Sequence, residues 1–192
     1  MKTPVLILLG ALVAVQFAVL VGMINGKERI LREGERVLFR TQPIDPHDPF
    51  QGRYVRLRFA DDYVPLDPGE TTGLNRRDTV YVTFATDTNS FVRFNGWRTA
   101  PPTSGAYLKT RYLGEHRNWN TGTRTSTADG FRVEIPFDRF YMDEAKAPLA
   151  EQAVRDATRG TNCWAAVRIL NGKAVIEDVF VRGQSVRTLK RR

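Results

Sequence analysis

Asp45 and Asp48 stand three positions apart in DPHDPFQGRYVRLRF (45–59), with His47 between them. Two carboxylates this close could act as general acid and general base if a shared cleft drove their pKa values apart. With His47 they could begin a metal site, but nothing completes one. The chain has only His47 and His116, no HExxH and no calcium-loop pattern. No metal and no cofactor is therefore expected. A serine–lysine pair, Ser90 or Ser104 with Lys109, is the other available scheme, although no local pattern supports either serine. Cys163 lies beside Trp164 in an apolar run and reads as a small buried residue rather than a thiolate. There is no GxSxG elbow.

The same stretch has a full structural explanation. Strand alternation puts Val55, Leu57 and Phe59 on one side and Tyr54, Arg56 and Arg58 on the other. The first set has the composition of a core face, and Gly52 stands where the chain turns into the strand. Asp45 and Asp48 can bond the backbone two residues on and so organise a turn. Pro46 and Pro49 fix φ and bias both aspartates towards extended conformations. Aspartate-rich turns are far commoner than carboxylate dyads, so no residue is assigned a catalytic role. An envelope hydrolase using Asp45 and Asp48, or the serine–lysine pair, stands as the alternative. The polar set Tyr54, Arg56 and Arg58 is a candidate surface for an anionic lipid or glycan.

The elements that would position these residues begin with a segment of different material. Pro4 to Ile24 is a run of 21 residues whose only strongly polar member is Gln16. As a helix it would span roughly 31 Å at about 1.5 Å per residue, close to a bilayer core of about 30 Å. A removable signal has a shorter apolar core of about 7–15 residues and a small-x-small cleavage site. The reading is an uncleaved membrane anchor over residues 1–33, one integral helix extended through KERILRE, with Gly34 as a left-handed cap. Lys2 precedes the run, while Lys27, Arg29, Arg32 and Arg36 follow it, so charge alone leaves the orientation open.

Residues 34–192 are expected to form a single strand-rich domain. Val37 and Phe39 open a strand; VYVTFA (80–85) and SFVRFNGW (90–97) form a hairpin over TDTN; AYLKTRYL (106–113) and FRVEI (131–135) add two strands. Asn171-Gly172 joins CWAAVRIL to KAVIEDVFV, the strongest short-range hairpin signal there is. PLAEQAVRDATRG has helical periodicity, with Pro148 at its start and Gly160 past its end. EHRNWNTGTRTSTADG (115–130) has the composition of an exposed loop. The fold class is α+β and strand-rich: a transmembrane helix, then a curled antiparallel sheet or partly open β-barrel with one packed helix. The net charge of +8 is mostly intermixed with acids, which fits a solvated surface. Nucleic acid is disfavoured as a partner by the anchor.

PIDPHDPFQGRYVRLRF resembles the signature of the GDYXXLXY family, bacterial membrane-anchored proteins named after that motif. Gly52, Tyr54 and Leu57 carry the named pattern, preceded by Asp45-Pro46, Asp48 and Phe50, which belong to the same motif stretch. YLKTRYLG, RFYMDEAKAPLAEQA and NGKAVIEDVFVRG resemble the family's middle strand, its tyrosine strand with following helix, and its closing hairpin. Arg53 stands where the motif has aspartate, and Phe59 where it ends in tyrosine. The resemblance implies a bacterial inner-membrane protein with a periplasmic domain. The leading reading is that this domain acts by interaction, with a polytopic membrane protein or the cell envelope. The resemblance implies no reaction.

Overall fold

The computed structural model describes residues 3–42, 54–67, 69–120, 125–141, 152–154 and 162–188. Helix α1 (Thr3–Glu33) carries the apolar run, with Ile7, Leu8, Leu12, Phe17 and Ile24 all exposed. A soluble domain cannot leave such a surface in water; its length and composition suit a membrane. The helix ends where the Gly34 amide bonds the Ile30 carbonyl at 2.9 Å. Gly34 has no positive φ, which corrects the expected left-handed cap. Its glycine is required by proximity instead. A β-carbon there would fall against the Ile30 carbonyl oxygen and 3.1 Å from the Ile169 nitrogen.

Beyond Gly34 the chain enters β1 (Glu35–Gln42) with no linker. Its alternate residues Val37, Phe39 and Thr41 point inward. β1 pairs antiparallel with β10 (Cys163–Leu170), and β10 with β11 (Lys173–Val181). At that turn Asn171 and Gly172 have φ of 49° and 75°, as the primed hairpin requires. Together with β3 (Arg58–Phe59) and β12 (Gln184–Ser185) these make one five-stranded sheet in the order β12-β11-β10-β1-β3.

The second five-stranded sheet contains β4 (Tyr63–Pro65), β5 (Thr79–Thr86), β6 (Val92–Arg98), β7 (Tyr107–Asn120) and β8 (Thr125–Glu134), in the order β4-β8-β7-β5-β6. The chain crosses from one sheet to the other between Phe59 and Tyr63. Ala60 donates to the Arg40 carbonyl and Val133 to that of Asp62, which carries the ladder around the corner. The sheets meet again where Leu38 donates to Ser90 and Lys109 to Gly172. The result is a nearly closed antiparallel barrel, within the expected fold class. Its centre is Phe39, whose ring meets Phe59, Phe94 and Phe137 edge-on at 5.1–6.4 Å.

Two expectations are corrected. Residues 115–130 are not simply loop: the strand pairing of β7 and β8 runs out to Asn120↔Thr125. Backbone pairing needs no apolar alternation in the sequence, and Thr125 and Thr127 favour extended backbone. The motif strand is also broken. β2 (Tyr54–Arg56) pairs with β9 (Arg139–Tyr141), β3 pairs with β1, and Leu57 lies between them. The Leu57 amide donates to the Asp138 carbonyl at 2.7 Å. Of the helix expected in PLAEQAVRDATRG, residues 152–154 are helical and Val154 is buried in the core; the others lie outside the described residues.

Candidate functional site

The motif falls into two parts. Asp45, Pro46, His47, Asp48, Phe50 and Gly52 lie outside the described residues, as does Arg53. Tyr54 and Arg56 are placed by their backbone in β2, opposite Tyr141 and Arg139. Alternation survives the break: Leu57 and Phe59 are buried, and Arg58 between them is exposed. Phe59 meets the rings of Phe39 and Phe137 at 5.7 and 5.2 Å. A tyrosine hydroxyl in its place would need a partner among phenylalanines, so the aromatic at this position serves packing.

The Ser90–Lys109 pair is not assembled. Lys109 faces Tyr81 near the start of β5, whereas Ser90 lies in the turn past Thr86 at its far end. Five strand residues separate those ends, roughly 17 Å at about 3.4 Å per residue. Ser104 is exposed in the connection before β7. Cys163 is buried at the start of β10, and burial pushes its thiol up, away from the nucleophilic thiolate. Among the described residues no three acidic, histidine or cysteine side chains converge as metal ligands.

Two polar groupings escaped the sequence. Arg40 sits between two aspartates, with Nη1 3.3 Å from Asp61 and Nη2 3.0 Å from Asp87. Its backbone amide also donates to Asp61, and its guanidinium lies over the Phe91 ring at 4.2 Å. Burial raises the Asp61 carboxyl above its usual range against the pull of Arg40. Asp87 moves the opposite way, held down by the Phe91 and Asn89 amides and by Arg40. Asp87 therefore organises the 86–91 turn and pins it to β1. The partners are 21 and 47 residues away in sequence, so no local signal could have revealed them.

The second grouping is at the root of the β7–β8 ribbon. His116 Nδ1 lies 2.8 Å from Asp129, and Tyr63 donates its hydroxyl to the Asp129 carbonyl at 2.6 Å. The hydrogen bond with His116 holds the Asp129 carboxyl below the usual range. An aspartate-oriented imidazole is half of a nucleophile-activating pair. The tyrosine is already committed to a backbone carbonyl, and no serine, threonine or cysteine shares a hydrogen bond with this imidazole among the described residues. The pair fastens strands.

The joint between helix and domain is held by several contacts. Ile30 is buried against the domain, and Arg168 reaches from β10 to the Gly34 carbonyl at 3.1 Å. Glu177 on β11 receives both Arg168 (3.2 Å) and Arg36 (2.9 Å). Burial works to raise Glu177, and the two guanidiniums overcome it and hold the carboxyl below its usual range. The chain thus leaves the apolar helix through a clamp instead of a flexible tether.

The family model described as GDYXXLXY protein matches residues 16–179, from the second half of the helix through most of β11. No curated protein and no solved structure matches the chain.

Proposed function

The chain belongs to the GDYXXLXY family, and from that premise we propose that it is a single-pass membrane protein whose strand-rich domain acts by interaction. In this reading the domain lies on the periplasmic side of a bacterial inner membrane. Its partner is there: a polytopic membrane protein, or the anionic lipid or glycan of the envelope. The observation that supports this most is the clamp. Arg168, Gly34, Ile30 and the Arg36–Glu177 pair fix the barrel directly against the end of an exposed apolar helix. A domain that had to reach a soluble substrate would gain nothing from being held so close to the bilayer. Lys2 ahead of the helix and the family membership support the outward orientation.

The hydrolase alternative keeps Asp45 and Asp48, and Ser104 with Lys109, since Ser90 and Lys109 stand at opposite ends of β5. The test is a fusion after Arg192 to a reporter active only in the periplasm, combined with alkaline carbonate washing of membranes. An active reporter on a wash-resistant protein is the expected result. A silent reporter with an active cytoplasmic one at the same site sinks the orientation, and release by carbonate sinks the anchor. Copurification from membranes then identifies the partner.

A further inference from the structure

A groove of about 680 Å³ opens between α1 and the barrel, within the roughly 300–1,000 Å³ typical of sites for small ligands. One wall is the helix face bearing Val19, Gly22, Met23 and Gly26; the other is the tip of the β10–β11 hairpin. Gly22 and Gly26 are four apart on that face, and a β-carbon at either would meet nothing within 4 Å. The groove straddles the place where the apolar run stops at Ile24 and the first charge, Lys27, appears. In a bilayer that is the level of the lipid headgroups.

Three lysines line it, Lys27 from the helix, Lys109 from β7 and Lys173 from β11, and no carboxylate does. All three are exposed, and none makes an ion pair among the described residues. Their basic neighbours behave differently. Arg29 pairs with Glu33, Arg32 with Glu28, and Arg36 and Arg168 with Glu177. Among the described residues, these four arginines of the joint are paired and the three lysines of the groove are not.

We propose that the groove seats one anionic phospholipid, with its phosphodiester between Lys27, Lys109 and Lys173 and an acyl chain along Val19 and Met23. This rests on the membrane-anchored reading above and gives it a partner. Lysine is a compact, flexible point charge suited to a phosphate, and juxtamembrane lysines are the usual means of holding anionic headgroups. A second copy of the chain is the competing occupant, since glycines four apart can seat a helix. Two-fold packing on that face would bring Lys27 towards its twin with no acid to compensate, which disfavours it.

The experiment uses the full chain purified from membranes in mild detergent. Native mass spectrometry follows retention of phosphatidylglycerol, phosphatidylcholine and soluble glycerol phosphate. One phosphatidylglycerol should be retained, and neither of the others. The triple variant Lys27→Gln, Lys109→Gln, Lys173→Gln should weaken retention about a hundredfold, near fivefold for each charge. Arg76→Gln, Arg93→Gln, Arg98→Gln removes as much charge from exposed positions elsewhere and should change nothing. Gly22→Leu should displace the lipid with all three lysines in place. Equal retention by the triple-lysine variant, or equal binding of phosphatidylcholine, overturns the proposal and leaves the anchor intact. A detergent-stable dimer that Gly22→Leu dissociates, with no lipid retained, overturns it in favour of a second copy. Carbonate release of the unaltered protein from membranes overturns the anchor and this proposal together.

Discussion

The hairpin of β10 and β11 and the hairpin of β7 and β8 cross the same barrel in opposite ways. β10 buries Cys163, Ala165, Ala166, Val167 and Ile169, lies between β1 and β11, and clamps the helix through Arg168. β7 buries Leu108, Thr110 and Tyr112 in its first half, while Arg117 further along is exposed. The first hairpin belongs to the core and to the joint. The second begins in the core and then leaves it, held by backbone pairing and by His116–Asp129 at its root. Stability should therefore be concentrated near the clamp on α1 and fall away along the ribbon.

Phe39→Ala gives the largest effect, because it empties the centre of the barrel where three rings converge. The expected loss is about 3–5 kcal/mol, read from thermal unfolding of the full chain in detergent. Replacing 118–127 by Asn-Gly, so that the ribbon closes just beyond Arg117↔Ala128, should cost no more than about 0.5 kcal/mol. Comparable losses from the two would end the contrast between core and ribbon.

The same contrast explains what could be read in advance. Asn171-Gly172, the β5–β6 hairpin and α1 were legible because their signals are local: two turn residues, an alternation, an unbroken apolar run. The ribbon was hidden because the loop composition of 115–130 says nothing about pairing. The break at Leu57 was hidden because Tyr54–Phe59 alternates without interruption; only the distant Asp138 carbonyl shows where the strand changes partner. Arg40 between Asp61 and Asp87 was hidden for the same reason. Gly34 was placed correctly and explained wrongly, since what a β-carbon would meet is the Ile30 carbonyl and, far along the chain, the Ile169 backbone.

Leu57→Ala carries the next effect and bears on the motif. It removes a buried side chain between β2 and β3, at an expected cost of roughly 2–5 kcal/mol. Asp45→Asn should cost on the order of 1 kcal/mol, typical of one net hydrogen bond. The reverse ranking, with a neutral Leu57→Ala and a stabilising Asp45→Asn, would describe a strained functional carboxylate. It would restore the hydrolase.

Two turn glycines sharpen the comparison at smaller scale. Gly172 and Gly183 both have positive φ, 75° and 82°. A β-carbon at Gly183 meets nothing within 4 Å, whereas one at Gly172 lies 2.6 Å from the Tyr107 ring. Gly183→Ala should cost only the conformational part, about 1–2 kcal/mol. Gly172→Ala should cost more, because β7 must shift as well. Equal melting temperatures for the two variants would mean that the hairpin tip is not seated on β7.

The smallest effects are pH slopes, and here the comparison predicts opposite signs. Asp61 lies beside the core and has its carboxyl raised by burial; Asp129 lies at the ribbon root and has its carboxyl lowered by His116. A raised acid binds its proton in the folded state first, so its contribution is full below the unfolded value, near 3.9, and is lost as pH rises through the folded value. A lowered acid contributes above the unfolded value and loses that contribution as pH falls through the folded one. Asparagine titrates in neither state and supplies the baseline. Relative to Asp61→Asn, the unaltered protein should therefore gain stability as pH falls from 7 towards 4. Relative to Asp129→Asn, it should keep its advantage down to about pH 4 and lose it below. Added salt should shrink the second difference more, because Asp129 is partly exposed and Asp61 is shielded. Melting temperatures of the three proteins at pH 7, 5 and 3 are the measurement. Slopes of one sign would show that burial does not separate the two carboxylates.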